Sequence, residues 1–180
     1  MKKYLLLILC TLFISVSLSA QSKSNPHLKF MGIPINGSIT NFQNKLIAKG
    51  FKHDKVTSKA IEGPTRYYDG QFAGETAQLI VYYDRDQKFV YRVKVIIDRS
   101  ESEQIISLMD KYKYQMEEKY RATASVGTYE EWIAYNFSLN NGAIDLYCCK
   151  NTYILGYALH IDYWDFANTQ KHEANNMNDL

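Results

Sequence analysis

Cysteine is scarce in this chain of 180 residues: there are three, with Cys10 inside the first apolar run and Cys148 adjacent to Cys149. Neighbours on a strand point to opposite faces, so the adjacent pair is not expected to bridge. A fold stapled by disulfides is thereby excluded, and stability must come from a buried core. An excess of one charge is missing as well. Twenty-one basic and 19 acidic residues leave a formal net charge of +2, with Lys2 and Lys3 counted. A near-neutral chain without a basic stripe argues against nucleic acid as a partner. The sequence has no glycine-rich phosphate loop, no metalloprotease helix and no serine elbow. Beyond residue 20 no apolar stretch is long enough to span a membrane.

What is present begins with a three-part N-terminus. Lys2 and Lys3 are followed by the apolar run Tyr4 to Val16 and then by Ser17, Ser19 and Ala20. That is the layout of a cleavable secretory signal peptide over residues 1–20, with cleavage after Ala20 or one residue earlier. The run of about 13 apolar residues is short for an uncleaved anchor. Cys10 follows bulky Leu9, which disfavours a lipoprotein reading. The expected location is periplasmic or secreted, with no membrane span after cleavage. About 160 residues remain, one typical domain with enough chain to bury a core.

The remainder is expected to divide into a polar leader (21–27), a single α+β domain (28–166) and a flexible tail (167–180) rich in Asn and Asp. Phe30 to Ile35 is read as a first strand at an edge, because Gly32 and Pro34 interrupt it. Ile39, Phe42, Leu46 and Ile47 fall at helical spacing before Gly50, which predicts a helix over Ser38 to Lys49. Ile105, Met109, Tyr112, Met116 and Tyr120 predict a second from about Glu101 to Tyr120, opened by Ser100 and Glu103. Strands are expected at Tyr67 to Phe72, Thr76 to Tyr83, Lys88 to Ile97, Glu131 to Leu139, Ala143 to Cys149 and Tyr153 to Tyr163. The sum is an antiparallel sheet of about six strands with two amphipathic helices on one face. The order of elements repeats between 38–98 and 100–165, a helix and three strands each time, which suggests an internal repeat.

Turn chemistry sets an expected register. With Asn141-Gly142 as a two-residue turn, Leu139 faces Ile144 and Phe137 faces Leu146. A turn at Lys150-Asn151 then puts Leu146 opposite Leu155 and His160 opposite Asn141. The apolar faces meet in this register, and a slip of one residue would break every match. The opposite face has nothing left in the chain to cover it. Tyr82, Arg92, Trp132, Tyr147, His160 and Trp164 lie there among short polar residues, and Tyr, Trp and Arg are the residues of protein-interaction hot spots. Those six are the candidate binding residues.

Two resemblances follow. Phe30-Met31-Gly32-Ile33-Pro34-Ile35-Asn36-Gly37, followed by Phe42, Leu46 and Gly50-Phe51, resembles the opening of small uncharacterised exported proteins of Gram-negative bacteria. The doubled plan of helix and antiparallel strands is similar in architecture to the β-lactamase-inhibitor-protein fold, whose tandem α/β repeats present a sheet face to a partner. That fold has four strands and a helical hairpin per repeat, against the three strands and one helix counted here. The resemblance implies a protein-binding sheet face and carries over no individual residue.

Catalytic constellations are thin. In the expected register His160 lies at the other end of the strand from Cys149, about 26 Å away at 3.3 Å per residue, too far for a nucleophile and its base. His160 and Asp162 share a face but are too few for a metal. Asp84 and Asp86, separated by Arg85, read as turn formers and not as a calcium loop. No cofactor, no metal and no catalysis are expected. The expectation is an exported, non-catalytic module that binds a protein or cell-envelope component, with a small-ligand carrier as alternative and an enzyme using His160 and Asp162 as a third reading.

Overall fold

A computed structural model of the chain describes residues 27–152 and 155–178. The expected signal peptide (1–20) and the leader up to Pro26 lie outside the described residues. The strands β1 (Lys29–Phe30) and β2 (Ile33–Pro34) form a small hairpin of their own, apart from the main sheet where an edge strand was expected. Then come α1 (Ile39–Ala48), β3 (Lys52–Asp54), α2 (Lys55–Ala60), β4 (Thr65–Phe72), β5 (Glu75–Tyr83) and β6 (Val90–Arg99). The second half holds α3 (Ser102–Tyr120), β7 (Ser125–Tyr129), β8 (Trp132–Leu139), β9 (Gly142–Asn151) and β10 (Gly156–Asp165), followed by α4 (Phe166–Asn178).

The fold is α+β, as expected, but the antiparallel sheet has eight strands and not about six, in the order β3-β4-β5-β6-β10-β9-β8-β7. Each half is therefore a long helix followed by four antiparallel strands, and the last strand of each half meets the other at the centre, where β6 pairs with β10. The two unforeseen strands, β3 and β7, are short and polar and lack the apolar alternation that marks a half-buried strand.

Local rules place the helices. Ser38 caps α1 by accepting the Asn41 amide at 3.3 Å, and Gly50, at φ +92°, ends it with Phe51 folded back into the core. Glu101 occupies the cap position of α3 without a side-chain bond, so Ser100 and Glu103 do not form the expected capping box. The expected flexible tail is instead mostly α4. Asp165 starts it by accepting the Asn168 amide at 2.9 Å, and buried Asn168 donates to the Ile35 and Val90 carbonyls at 2.9 Å each. Such a helix is held by polar contacts, so it has no apolar stripe to announce it.

One face of the sheet packs on the helices. Phe42 and Leu46 of α1, and Ile105, Met109, Tyr112 and Met116 of α3, meet Leu79, Val81, Val93, Val95, Leu146, Leu159 and Ile161. A fully buried Leu146 alone contributes about 1.5–3 kcal/mol by leaving water. Ile133 and Leu155, expected on this face, are 51% and 92% exposed, because the helices do not reach the ends of β8 and β10.

The register differs from the turn-based one by even numbers. Phe137 faces Ile144 and Leu139 faces Gly142, so the turn falls at Asn140-Asn141, one residue earlier than expected, and each partner moves by two. Leu146 faces Ile161 and not Leu155, because β9 and β10 continue to the pair Asn151 and Gly156, past the expected turn. Side chains alternate with a period of two, so even displacements keep the residues paired in these ladders on their expected faces while changing their neighbours.

Candidate functional site

Cross-strand rows build the uncovered face. One row runs Ala143, Trp164, Arg92, Tyr82; the next Asn136, Asp145, Asp162, Lys94; the next Gly127, Ala134, Tyr147, His160. Asp162 is the hub. It is 1% exposed and takes a two-pronged bond from Arg92, Nε to Oδ1 at 2.7 Å and Nη2 to Oδ2 at 2.6 Å. Lys94 stands 3.2 Å from the same carboxylate, and the Tyr147 hydroxyl donates to it at 3.4 Å. Lys94 also donates to the Tyr147 hydroxyl oxygen at 2.9 Å.

The Arg92 guanidinium is clasped between rings, 3.7 Å from the Trp164 centroid and 4.5 Å from that of Tyr82. Burial opposes its charge, but the bonds and charge of Asp162 outweigh burial and hold its pKa above the ordinary arginine value. Tyr147, pushed well above the usual phenol range by burial and then by Asp162, stays neutral. Its ring lies against His160 at 5.0 Å and Tyr129 at 4.3 Å. The floor of the face is thus a set of ions and rings that lock one another in place.

Over this floor opens a groove of about 510 Å³. β7 forms one wall with all five of its residues, and Gly127 and Ala134, having little side chain, leave the space empty beside Tyr147. No atom lies within 4 Å of where a Gly127 side chain would begin, and its backbone is not in the left-handed region. The gap therefore owes nothing to backbone geometry. Asp145, held by the Asn136 amide at 2.6 Å, supplies a second carboxylate in the groove.

Five of the six candidate residues come together on this face: Tyr82, Arg92, Tyr147, His160 and Trp164. Trp132 does not. The ladder between β8 and β9 runs out at Ala134 and Tyr147, and beyond it Trp132 packs edge-on against Tyr157 at 5.6 Å beside the core. Its place is taken by residues of β7, which gave no strand signal in the sequence.

The expected separation of Cys149 and His160 is overturned. In the observed register His160 faces Tyr147, so Cys149 is its diagonal neighbour, with Sγ 3.2 Å from Nε2. Burial chiefly, and then the charge of Lys94, push His160 down to about 4, while burial raises the Cys149 thiol. At neutral pH both groups are uncharged, the opposite of the thiolate–imidazolium pair of a cysteine nucleophile. No group of three or more His, Cys, Asp or Glu able to hold a metal occurs among the described residues. Comparison with protein-family models, with curated proteins and with solved structures finds no match for this chain.

Proposed function

We propose that the protein is an exported, non-catalytic binding module that engages a protein or cell-envelope component through the uncovered sheet face, in the groove between β7 and the Arg92–Asp162 floor. The observation that carries this reading is the groove itself, a preformed hollow on a floor already rigid before any partner arrives. Preorganised side chains lose little freedom on binding, and aromatic and arginine anchors around an open hollow suit a protein surface. Export rests on the N-terminal signal features, and the absence of catalysis on the uncharged state of Cys149 and His160.

The test is capture from cell-envelope extract with wild type beside Gly127→Leu and Tyr147→Ala. Gly127→Leu fills the hollow where no atom stands in its way. A partner retained by wild type and lost by both variants supports the reading, and one retained by all three rejects the groove. The small-ligand carrier stays as a second reading. It is favoured by a hollow of about 340 Å³ between the C-terminal half of α3 and the sheet, lined by Met31, Phe72, Met116 and Tyr163 and by Tyr120, whose buried hydroxyl has no partner. Native mass spectrometry of protein purified from its source would show a bound small molecule under that reading and none under the first.

A further inference from the structure

The sheet ends differently on its two sides. β3 is three residues long, carries Lys52 and Asp54, and runs directly into α2. β7, at the other end, is Ser125-Val126-Gly127-Thr128-Tyr129, without charge or proline, every residue exposed, paired among the described strands to β8 alone and in unbroken register. Such a strand turns a row of backbone N–H and C=O groups to solvent, and sheets that remain single blunt such edges with lysine, proline, a bulge or a covering segment. Among the described residues β7 has none of these devices. Beside it Val126 is 70% exposed and Ile133 51%, on the same face of the β7–β8 pair.

We propose that β7 is the contact through which two copies of this chain dimerise, pairing antiparallel about Gly127 so that two eight-stranded sheets become one. The strand suits a copy of itself. Antiparallel pairing about its own midpoint is a two-fold arrangement, which closes at two subunits and leaves as outer edges only the short, charged β3 of each copy. It sets Val126 opposite Thr128 and Ser125 opposite Tyr129, with no like charges facing, and the two Gly127 residues meet on the axis where neither has a side chain. The flanks are complementary as well. Lys119 and Arg121 precede β7, and Glu130 and Glu131 follow it. The two-fold lays the acidic end of each copy beside the basic end of the other, whereas parallel pairing would set like beside like. A five-residue edge with a small apolar flank is a modest interface, so the dimer is expected to form in the micromolar range. This contact uses the outer edge of β7 and is independent of what enters the groove on its inner side.

Sedimentation velocity of the purified chain from about 1 to 200 µM tests it. The expected result is a monomer–dimer equilibrium that Val126→Lys with Thr128→Lys abolishes, with the circular dichroism spectrum unchanged. Directly opposed residues in an antiparallel pair lie about 4.5–5.5 Å apart between Cα atoms, a span a disulfide bridges. In a Cys149→Ser background, oxidised Gly127→Cys should therefore cross-link as a dimer, and Ser138→Cys, exposed at the far end of β8, should not. A wild type that stays monomeric throughout, a dimer that survives the two lysines, or cross-linking at 138 but not at 127 overturns the proposal.

Discussion

Asp162→Asn removes a charge while keeping the shape of the side chain. In the folded protein Arg92 and Lys94 would remain with side chains 18% and 14% exposed and no carboxylate between them. Breaking a buried ion pair by removing one partner costs about 3–5 kcal/mol, because the other charge stays buried and uncompensated. Arg92 keeps its two rings and some contact with water, so we expect a loss of about 2–3 kcal/mol here. With a urea m-value of about 2 kcal/mol per M, the unfolding midpoint falls by about 1–1.5 M and m stays constant. Arg92→Met with Asp162→Leu should recover most of that loss, since an apolar pair of similar volume needs no counter-charge. A loss below about 1 kcal/mol for Asp162→Asn, or a double variant less stable than the single one, would refute the assignment of Asp162 as the hub of the floor.

Stability should fall with acid in two stages. His160, held down to about 4 chiefly by burial, takes its proton in the unfolded chain near 6.5, so the unfolded state binds the proton first and stability drains between pH 6.5 and 4. Asp84, which burial would raise but which bonds from His172, the Gln87 amide and Asn175 bring from 3.8 to about 2, adds a loss as pH falls from 3.8 toward 2. Urea midpoints at pH 7, 5.5 and 4 check the upper stage, and His160→Gln should flatten it. Cys148 and Cys149 should react slowly with a thiol reagent at pH 8 in the native protein and fast in urea. Cys148, fully buried and pushed up to about 12, should be the slower of the two. Gly70→Ala would drive a methyl into the buried Phe51 ring, and Gly142→Ala into the Trp164 carbonyl. Thermal unfolding should show each destabilised by about 1–3 kcal/mol, Gly142→Ala more because a backbone oxygen cannot turn aside.

The sequence was most legible where a single period runs long enough to be counted. α1, α3 and the β5–β6 hairpin match their expected spans to within about two residues because apolar spacing, the Ser38 cap of α1 and the Asp84 turn agree. The faces of the sheet were legible too, even though two registers were misplaced, since an even displacement leaves Arg92, Tyr147, His160 and Trp164 where alternation puts them. Neighbour relations were not. The contact between Cys149 and His160 depends on how far β9 and β10 run before the chain turns, and Lys150-Asn151 offered a plausible earlier stop. The outer wall of the groove was hidden for another reason. Ser125–Tyr129 is exposed throughout, so no apolar alternation records which way it faces.

The position of β10 has a consequence in time. It is the last strand of the sheet to be synthesised, yet it lies next to the centre, against β6. Arg92 and Lys94 therefore precede their counter-ion by about seventy residues of chain. Until Asp162 arrives, the side of β6 that will receive β10 is a bare edge, and these two cations stand along it. Charge on an open strand discourages it from pairing with the wrong segment. The residues that floor the groove in the finished molecule thus also guard a vacancy during its making, and a chain that has emerged only as far as Tyr157 has guards but no groove.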